Sequence, residues 1–107
     1  MQKKAGIKEE QIIIDPGIGF GYSIDENFEI LGSLEQIKAL YPYPILLGTS
    51  RKSMIWKTLN IKPQDSVNGT LATTAIGIMK GANIIRVHDV KENKECGIIA
   101  HCIKNLQ

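Results

Sequence analysis

Apolar residues fall into three short runs, each followed by a polar loop and then by a stretch with helical spacing. The runs are Ile12-Ile13-Ile14, Ile45-Leu46-Leu47 and Ile84-Ile85 with Val87. Short, almost uninterrupted aliphatic runs of this kind predict strands buried on both faces. Strand one is expected over residues 11–15, strand two over 45–48, and strand three with its end over 83–90. Residues 1 to about 10 read as the tail of a helix, with Gly6 as its cap, as in a chain cut from something longer. Residues 27–40 predict one helix with Phe28, Ile30, Leu31, Leu34, Ile37 and Leu40 on a broad apolar face. Ser23 or Asp25 would cap it, and Tyr41-Pro42-Tyr43-Pro44 would stop it. A short helix over 54–59 carries Trp56. A further helix from about Ser66 to Lys80 carries Leu71, Ala72, Ala75, Ile76 and Met79, and Gly81 ends it. Its small residues Gly69, Ala72, Thr73, Ala75 and Gly77 predict close packing against a neighbour. A final helix, 91–106, is expected to bury Ile98, Ile99, Cys102, Ile103 and Leu106. Strand, loop and helix in that repeated order give an α/β fold, with parallel strands joined by right-handed crossovers.

Composition narrows the class without naming a function. At 107 residues the chain suffices for one small domain. Hydrophobic content of 43% and charged content of 22% are ordinary for a globular protein. A net charge of +2 is too weak to argue for a nucleic-acid or membrane surface. No apolar run approaches the ~20 residues of a membrane span. Met1-Gln2-Lys3-Lys4 leads into Gly and acidic residues instead of the apolar core of a signal peptide, so a cytoplasmic location is expected. Cys96 and Cys102 stand six apart on a predicted helix, which places their Cα atoms roughly 9 Å apart, too far for a disulfide. His101 beside Cys102 fits no zinc spacing.

The chemistry sits where the strands end. Ile12-Ile13-Ile14 runs into Asp15-Pro16-Gly17-Ile18-Gly19-Phe20-Gly21, a carboxylate followed by residues that let the backbone turn sharply and approach a ligand. Parallel strands bring their carboxyl ends to one rim. Asp15, Lys52, Arg86 and His88 are therefore expected to converge there, with the hydroxyls of Ser50 and Ser53. Each has a plainer reading: Asp15 as a turn or helix cap, Arg51 and Lys52 as solvated charges at a helix start. Cations there oppose the helix dipole, however. Arg86 and His88 alternate with Val87, so both point to the same side of strand three. Charges on that side call for a partner or a ligand. Arg86 offers a planar fork for phosphate and a face that stacks on a ring. His88 can donate to phosphate. Asp15 can accept two parallel bonds from an amino-pyrimidine edge, and Lys52 can donate to a ring nitrogen or carbonyl. Ser53, at a helix start, suits a small carboxylate.

The motifs Asp15-Pro16-Gly17-Ile18-Gly19-Phe20-Gly21, Gly48-Thr49-Ser50-Arg51-Lys52-Ser53 and Arg86-Val87-His88-Asp89-Val90, with Gly69-Thr70-Leu71-Ala72 between the last two, resemble dihydropteroate synthase. The resemblance spans nearly the whole chain. It implies a TIM (β/α)8 barrel, of which residues 1–107 would be the carboxyl-terminal part with the last three strands, an incomplete barrel in this chain. It implies a transferase of folate biosynthesis, a target of sulfonamides. The reaction joins p-aminobenzoate to 6-hydroxymethyl-7,8-dihydropterin diphosphate and releases pyrophosphate with Mg²⁺ assistance. Carried over by position, Asp15, Lys52 and Arg86 would bind the pterin, and Arg86 and His88 the diphosphate. Gly19, Phe20 and Ser53 would shape the p-aminobenzoate pocket. Lys52, Arg86 and His88 would form the catalytic set, and no metal ligand falls in this chain.

Departures from the family pattern bear on these expectations. Tyr22 stands where the family's Gly-Phe-Gly continues to Lys, and Ser66 falls about where Arg is frequent. A whole barrel takes about 250 residues. The isolated chain is therefore expected to be a fragment, inactive or impaired alone, that pairs with a missing amino-terminal half or forms a homodimer. Two other readings remain open: a pterin-binding domain of a corrinoid-dependent methyltransferase, and a non-catalytic half-barrel that serves oligomerisation. Ser-Arg-Lys-Ser and Arg-Val-His-Asp-Val speak against the methyltransferase, which has no diphosphate to release.

Overall fold

The described parts of the three apolar runs lie side by side in chain order. Ile14 N–H donates to the Pro44 carbonyl and Leu46 N–H to the Ile14 carbonyl, both at 2.8 Å, which makes a parallel bridge between Ile14 and Ile45. Strand β1 (Leu46–Leu47) pairs in parallel with β2 (Ile84–Ile85), with Leu46 opposite Ile84 and Leu47 opposite Ile85. The computed structural model describes residues 13–19 and 21–106. The expected helix tail at 1–10, the start of strand one at Gln11 and Ile12, and Phe20 lie outside the described residues.

The strands are shorter than the sequence predicts, and the hydrogen bonds say why. Arg86 N–H still donates to the Leu47 carbonyl at 2.9 Å. Two residues on, His88 N–H turns away to the Ser50 hydroxyl at 3.1 Å, so residues 87–89 leave the ladder. At the other end Asn83 replaces a strand residue with its side chain. Its Oδ1 accepts from Ile45 N–H at 3.0 Å and from Lys38 Nζ at 2.7 Å.

The helices are α1 (Ile24–Gly32), α2 (Leu34–Leu40), α3 (Ser53–Leu59), α4 (Val67–Met79) and α5 (Val90–Lys104). The single helix expected over 27–40 is broken at Ser33, after Gly32. Ser33 N–H closes α1 on the Ile30 carbonyl while its own carbonyl accepts from Ile37 N–H and opens α2, both at 3.1 Å. Leu31 and Leu34 are buried as the spacing predicts, whereas Phe28 and Leu40 at the margins of the stripe are exposed.

Ser23, not Asp25, caps α1. Its hydroxyl accepts from Glu26 N–H at 3.1 Å, and Glu26 Oε1 accepts from Ser23 N–H at 2.8 Å, a reciprocal capping box. The Ser23 backbone N–H, and then its side chain, hold the Glu26 carboxyl below its usual value. A depressed carboxyl stabilises the fold above its unfolded value and loses that effect as pH falls through the lower folded one. Ser23→Ala is expected to cost about 1 kcal/mol in urea unfolding at neutral pH, the value of a lost N-cap acceptor for Glu26 N–H. The backbone N–H at position 23 still reaches Glu26 Oε1 in that variant, so only the smaller, side-chain part of the carboxylate's stabilisation is lost on acidification. A Ser23→Ala chain as stable as wild type at neutral pH would exclude the cap.

The core is built from Ile14, Ile18, Leu31, Leu34, Ile45, Leu47, Met54, Ile55 and Ala82. Close packing at the small residues of α4 is real at two positions. A Cβ added to Gly69 would run into Ile55 Cγ2, and one added to Gly77 into Leu47 Cδ2. The last helix corrects the sequence reading. Ile98, Ile99, Cys102, Ile103 and Leu106 are all exposed, and α5 instead turns Asn93 and Ala100 inward. Polar pins fix this rotation. Asn93 Nδ2 donates to the Asp89 carbonyl at 2.8 Å, and its Oδ1 accepts from Thr74 Oγ1 at 2.7 Å. Lys104 Nζ reaches the Ile78 carbonyl at 3.0 Å. A buried asparagine must keep both partners, so its bonds outweigh the apolar spacing on the other face.

Candidate functional site

Beyond β1 the chain makes a tight polar turn. Thr49 and Ser50 are buried, Arg51 has a positive φ of 56°, and Lys52 N–H closes the turn on the Thr49 carbonyl at 3.0 Å. A non-glycine residue in this region costs roughly 1–2 kcal/mol, so surrounding contacts must hold it there. They do. Thr73 Oγ1 donates to the Thr70 carbonyl at 2.8 Å, which leaves the Thr49 hydroxyl as donor in the 2.6 Å bond between Thr49 and Thr73. Arg51 reaches across to Asp89 at 3.8 Å, a half-exposed pair that contributes well under ~1 kcal/mol. The turn is thus nailed to α4 and linked to the start of α5.

Arg86 leaves β2 and lies against Gly48. A Cβ at Gly48 would stand 3.0 Å from Arg86 Nη2 and 3.3 Å from Nε, so the bare backbone lets the guanidinium pass close. Beside it, His88 Nδ1 is 2.7 Å from Ser50 Oγ. Gly48, Ser50, Arg51, Lys52, Arg86, Val87 and His88 together line a cleft of about 360 Å³. Three of these side chains are cationic and none is a carboxylate. A concave surface of that charge suits an anion with several oxygens.

The glycine loop forms the neighbouring wall. At Gly19, with φ +88°, an added Cβ would lie 2.8 Å from Lys52 Cδ and 3.1 Å from Nζ. Gly19 N–H donates to Asn27 Oδ1 at 2.9 Å, and Asn27 is 1% exposed. Asp15 is exposed, and its Oδ1 accepts from Gly17 N–H at 2.9 Å. That bond is the turn-making role that the plainer reading assigned to it.

Lys52, Arg86 and His88 therefore share one cleft, with the Ser50 hydroxyl. Gly19 abuts the Lys52 stem. Asp15 and Ser53 are not part of the cleft lining, although Ser53 opens α3 directly after Lys52. Phe20 lies outside the described residues. Sequence reasoning missed Asn27. The available signal was its position on the buried stripe of α1 and α2, four residues before Leu31 and seven before Leu34. Among the described residues no group of three or more His, Cys, Asp or Glu side chains could hold a metal ion. Nor is any helix there long and apolar enough to cross a membrane.

The site is thus a cationic cleft beside a glycine loop at the rim of parallel strands. The pattern that defines the pterin binding enzymes matches residues 1–88, and the chain belongs to that family. Within it the similarity is to dihydropteroate synthases. That of Clostridium beijerinckii is 59% identical over 92 residues, which cover 85% of this chain and 34% of the relative. The crystal structure of the Clostridium difficile enzyme in the presence of pteroic acid superposes with a TM-score of 0.88 at 49% identity, covering 92% of this chain and 37% of that one. The Yersinia pestis enzyme with a sulfonamide drug complex gives a TM-score of 0.92 at 41% identity, covering 96% and 37%. The chain thus spans about a third of the length of the relatives it matches. These neighbours imply a TIM-barrel type of fold, and the described residues show helices around parallel strands.

Proposed function

We propose that this chain supplies the last three strands of a dihydropteroate synthase barrel, and with them the anion-binding side of its active site. The observation that carries the reading is the meeting of Lys52, Arg86 and His88 in one cleft without a carboxylate. In this assignment Arg86 and His88 bind the diphosphate of 6-hydroxymethyl-7,8-dihydropterin diphosphate. Arg86 also stacks on the pterin, Lys52 donates to its ring, and Asp15 holds its amino-pyrimidine edge. Gly19, Phe20 and Ser53 border the p-aminobenzoate subsite. The C–O bond to the diphosphate breaks, and pyrophosphate leaves with the electron pair, its charge met by the guanidinium and imidazole. The p-aminobenzoate nitrogen forms the new bond to the methylene carbon and gives up a proton. Positioning and electrostatics supply most of such a rate.

A lining of cations does not suit Mg²⁺, which would be held by groups outside this cleft. The exposed apolar residues Ile98, Ile99, Ile103 and Leu106 favour coverage of α5, by a second copy in a homodimer or by the amino-terminal half of a barrel. The location proposed is cytoplasmic. The cationic lining of the cleft, suited to a polyanion, favours this reading over a corrinoid-dependent methyltransferase.

Isothermal titration tests the assignment. Dihydropterin diphosphate should bind weakly to this chain, and Asp15→Asn should weaken it by about tenfold, the value of one lost charge-assisted bond. Inorganic pyrophosphate should bind Asp15→Asn as it binds wild type. Equal loss for both ligands would remove Asp15 from the pterin edge. Co-expression with an amino-terminal segment of a relative is expected to restore condensation of the diphosphate with p-aminobenzoate.

A further inference from the structure

Ser50 touches His88 twice. Its Oγ accepts the His88 backbone N–H at 3.1 Å and lies 2.7 Å from His88 Nδ1. Ser50 is only 6% exposed and borders the cleft, so its hydroxyl proton has two outlets, the imidazole beside it and the cleft. Among the described residues Oγ makes no other hydrogen bond than these. A hydroxyl carries one proton and two lone pairs. Were Nδ1 protonated, Oγ would accept from both donors, and its own proton would find no protein acceptor among the described residues and would turn toward the cleft, giving up the 2.7 Å bond it can make to Nδ1. With the ring proton on Nε2 the chain of bonds closes. His88 N–H donates to Oγ, Oγ–H donates to Nδ1, and Nε2–H remains on the far side of a ring that lines the cleft.

We propose that Ser50 is a positioning residue that holds His88 in its Nε2–H tautomer, so that the ring offers a donor, and not a lone pair, to an anionic oxygen in the cleft. The last clause rests on the anion-binding reading of the site; the tautomer itself does not. The distinction matters chemically. An imidazole lone pair facing phosphate oxygen would repel it, whereas a fixed N–H attracts it and needs no reorganisation when the anion arrives. Ser50 would act through His88 and need not touch the substrate.

The test is a long-range proton–nitrogen correlation spectrum of the ¹⁵N-labelled full chain. His101→Gln, on the exposed side of α5, leaves His88 as the only imidazole of the two in the sequence. At about pH 8, above the ordinary histidine value of about 6.5, Nδ1 should resonate as a lone-pair nitrogen and Nε2 as a protonated one. Ser50→Ala should draw the two signals toward a common average, as free tautomer exchange does, and Ser50→Thr should restore the split. A protonated Nδ1 in the parent, or a split that Ser50→Ala leaves intact, overturns the proposal. The parent spectrum decides the tautomer even if a Ser50 variant does not fold. Inorganic pyrophosphate separates the two ideas. Ser50→Ala should bind it roughly fivefold more weakly, as expected for one lost ordering bond. A split spectrum in a parent that binds no pyrophosphate supports the role of Ser50 while removing the anion-site reading. Pyrophosphate binding that Ser50→Ala leaves unchanged overturns the positioning role.

Discussion

Arg86→Ala is expected to weaken binding of inorganic pyrophosphate by about a hundredfold, the largest loss from any single change at the cleft. Two charge-assisted bonds from one guanidinium, each of about 1.5 kcal/mol, sum to roughly 3 kcal/mol, and every 1.4 kcal/mol is tenfold. Arg86→Lys should recover only part of this, since an ammonium keeps the charge and loses the planar fork. Gly48→Ala gives an independent check without touching the charge. A Cβ there would stand 3.0 Å from Arg86 Nη2, so the guanidinium must move aside or ride higher. A several-fold loss is expected. Raising salt should reduce wild-type binding steeply and Arg86→Ala binding much less. If titration shows Arg86→Ala equal to wild type, the cleft is not the pyrophosphate site.

The parts of this site that the sequence disclosed are those set by strand direction. Parallel strands deliver the chain at Gly48 and Arg86 to one rim, so Lys52, Arg86 and His88 start close together, and the turn at 49–52 and the Ser50–His88 bonds then set their positions. The parallel bridges Ile14–Ile45 and Leu46–Ile84 carry that arrangement. What the sequence concealed is set by single polar bonds. Asn27 reads as an ordinary helix residue until its Oδ1 is found under Gly19 N–H. The rotation of α5 follows Asn93 and Thr74, whereas the isoleucines suggested the opposite face. Those isoleucines are not a failure of periodicity. They mark an apolar face that the described residues leave uncovered, and spacing alone cannot say which of two faces turns inward. The split of α1 from α2 has the same origin, a local Gly32-Ser33 break inside an unbroken apolar stripe.

Gly77→Val should be the most damaging substitution away from the cleft, with a loss of about 3 kcal/mol in urea unfolding, the upper end of what overpacking costs. Even one added carbon at Gly77 meets Leu47 Cδ2, and Leu47 cannot retreat. It is 1% exposed, and Leu31 Cδ1 lies 3.7 Å from the same point. Against a total stability of roughly 5–15 kcal/mol such a loss is large. Gly97→Ala on α5 supplies the contrast. Its added Cβ would meet Ile78 Cδ1 at 3.5 Å, an ordinary contact, so the gain in helix propensity of up to about 1 kcal/mol is not opposed. The pair also tests whether core and cleft are coupled. Leu47 is followed directly by Gly48, on which Arg86 rests, and Thr49 is bonded to Thr73 one turn before Gly77 on α4. A displaced Leu47 must shift that turn. Gly77→Val, measured under conditions where it is still folded, should therefore bind pyrophosphate more weakly than wild type, while Gly97→Ala binds it equally. Unaltered binding in folded Gly77→Val would show that α4 supports the sheet without setting the geometry of the cleft.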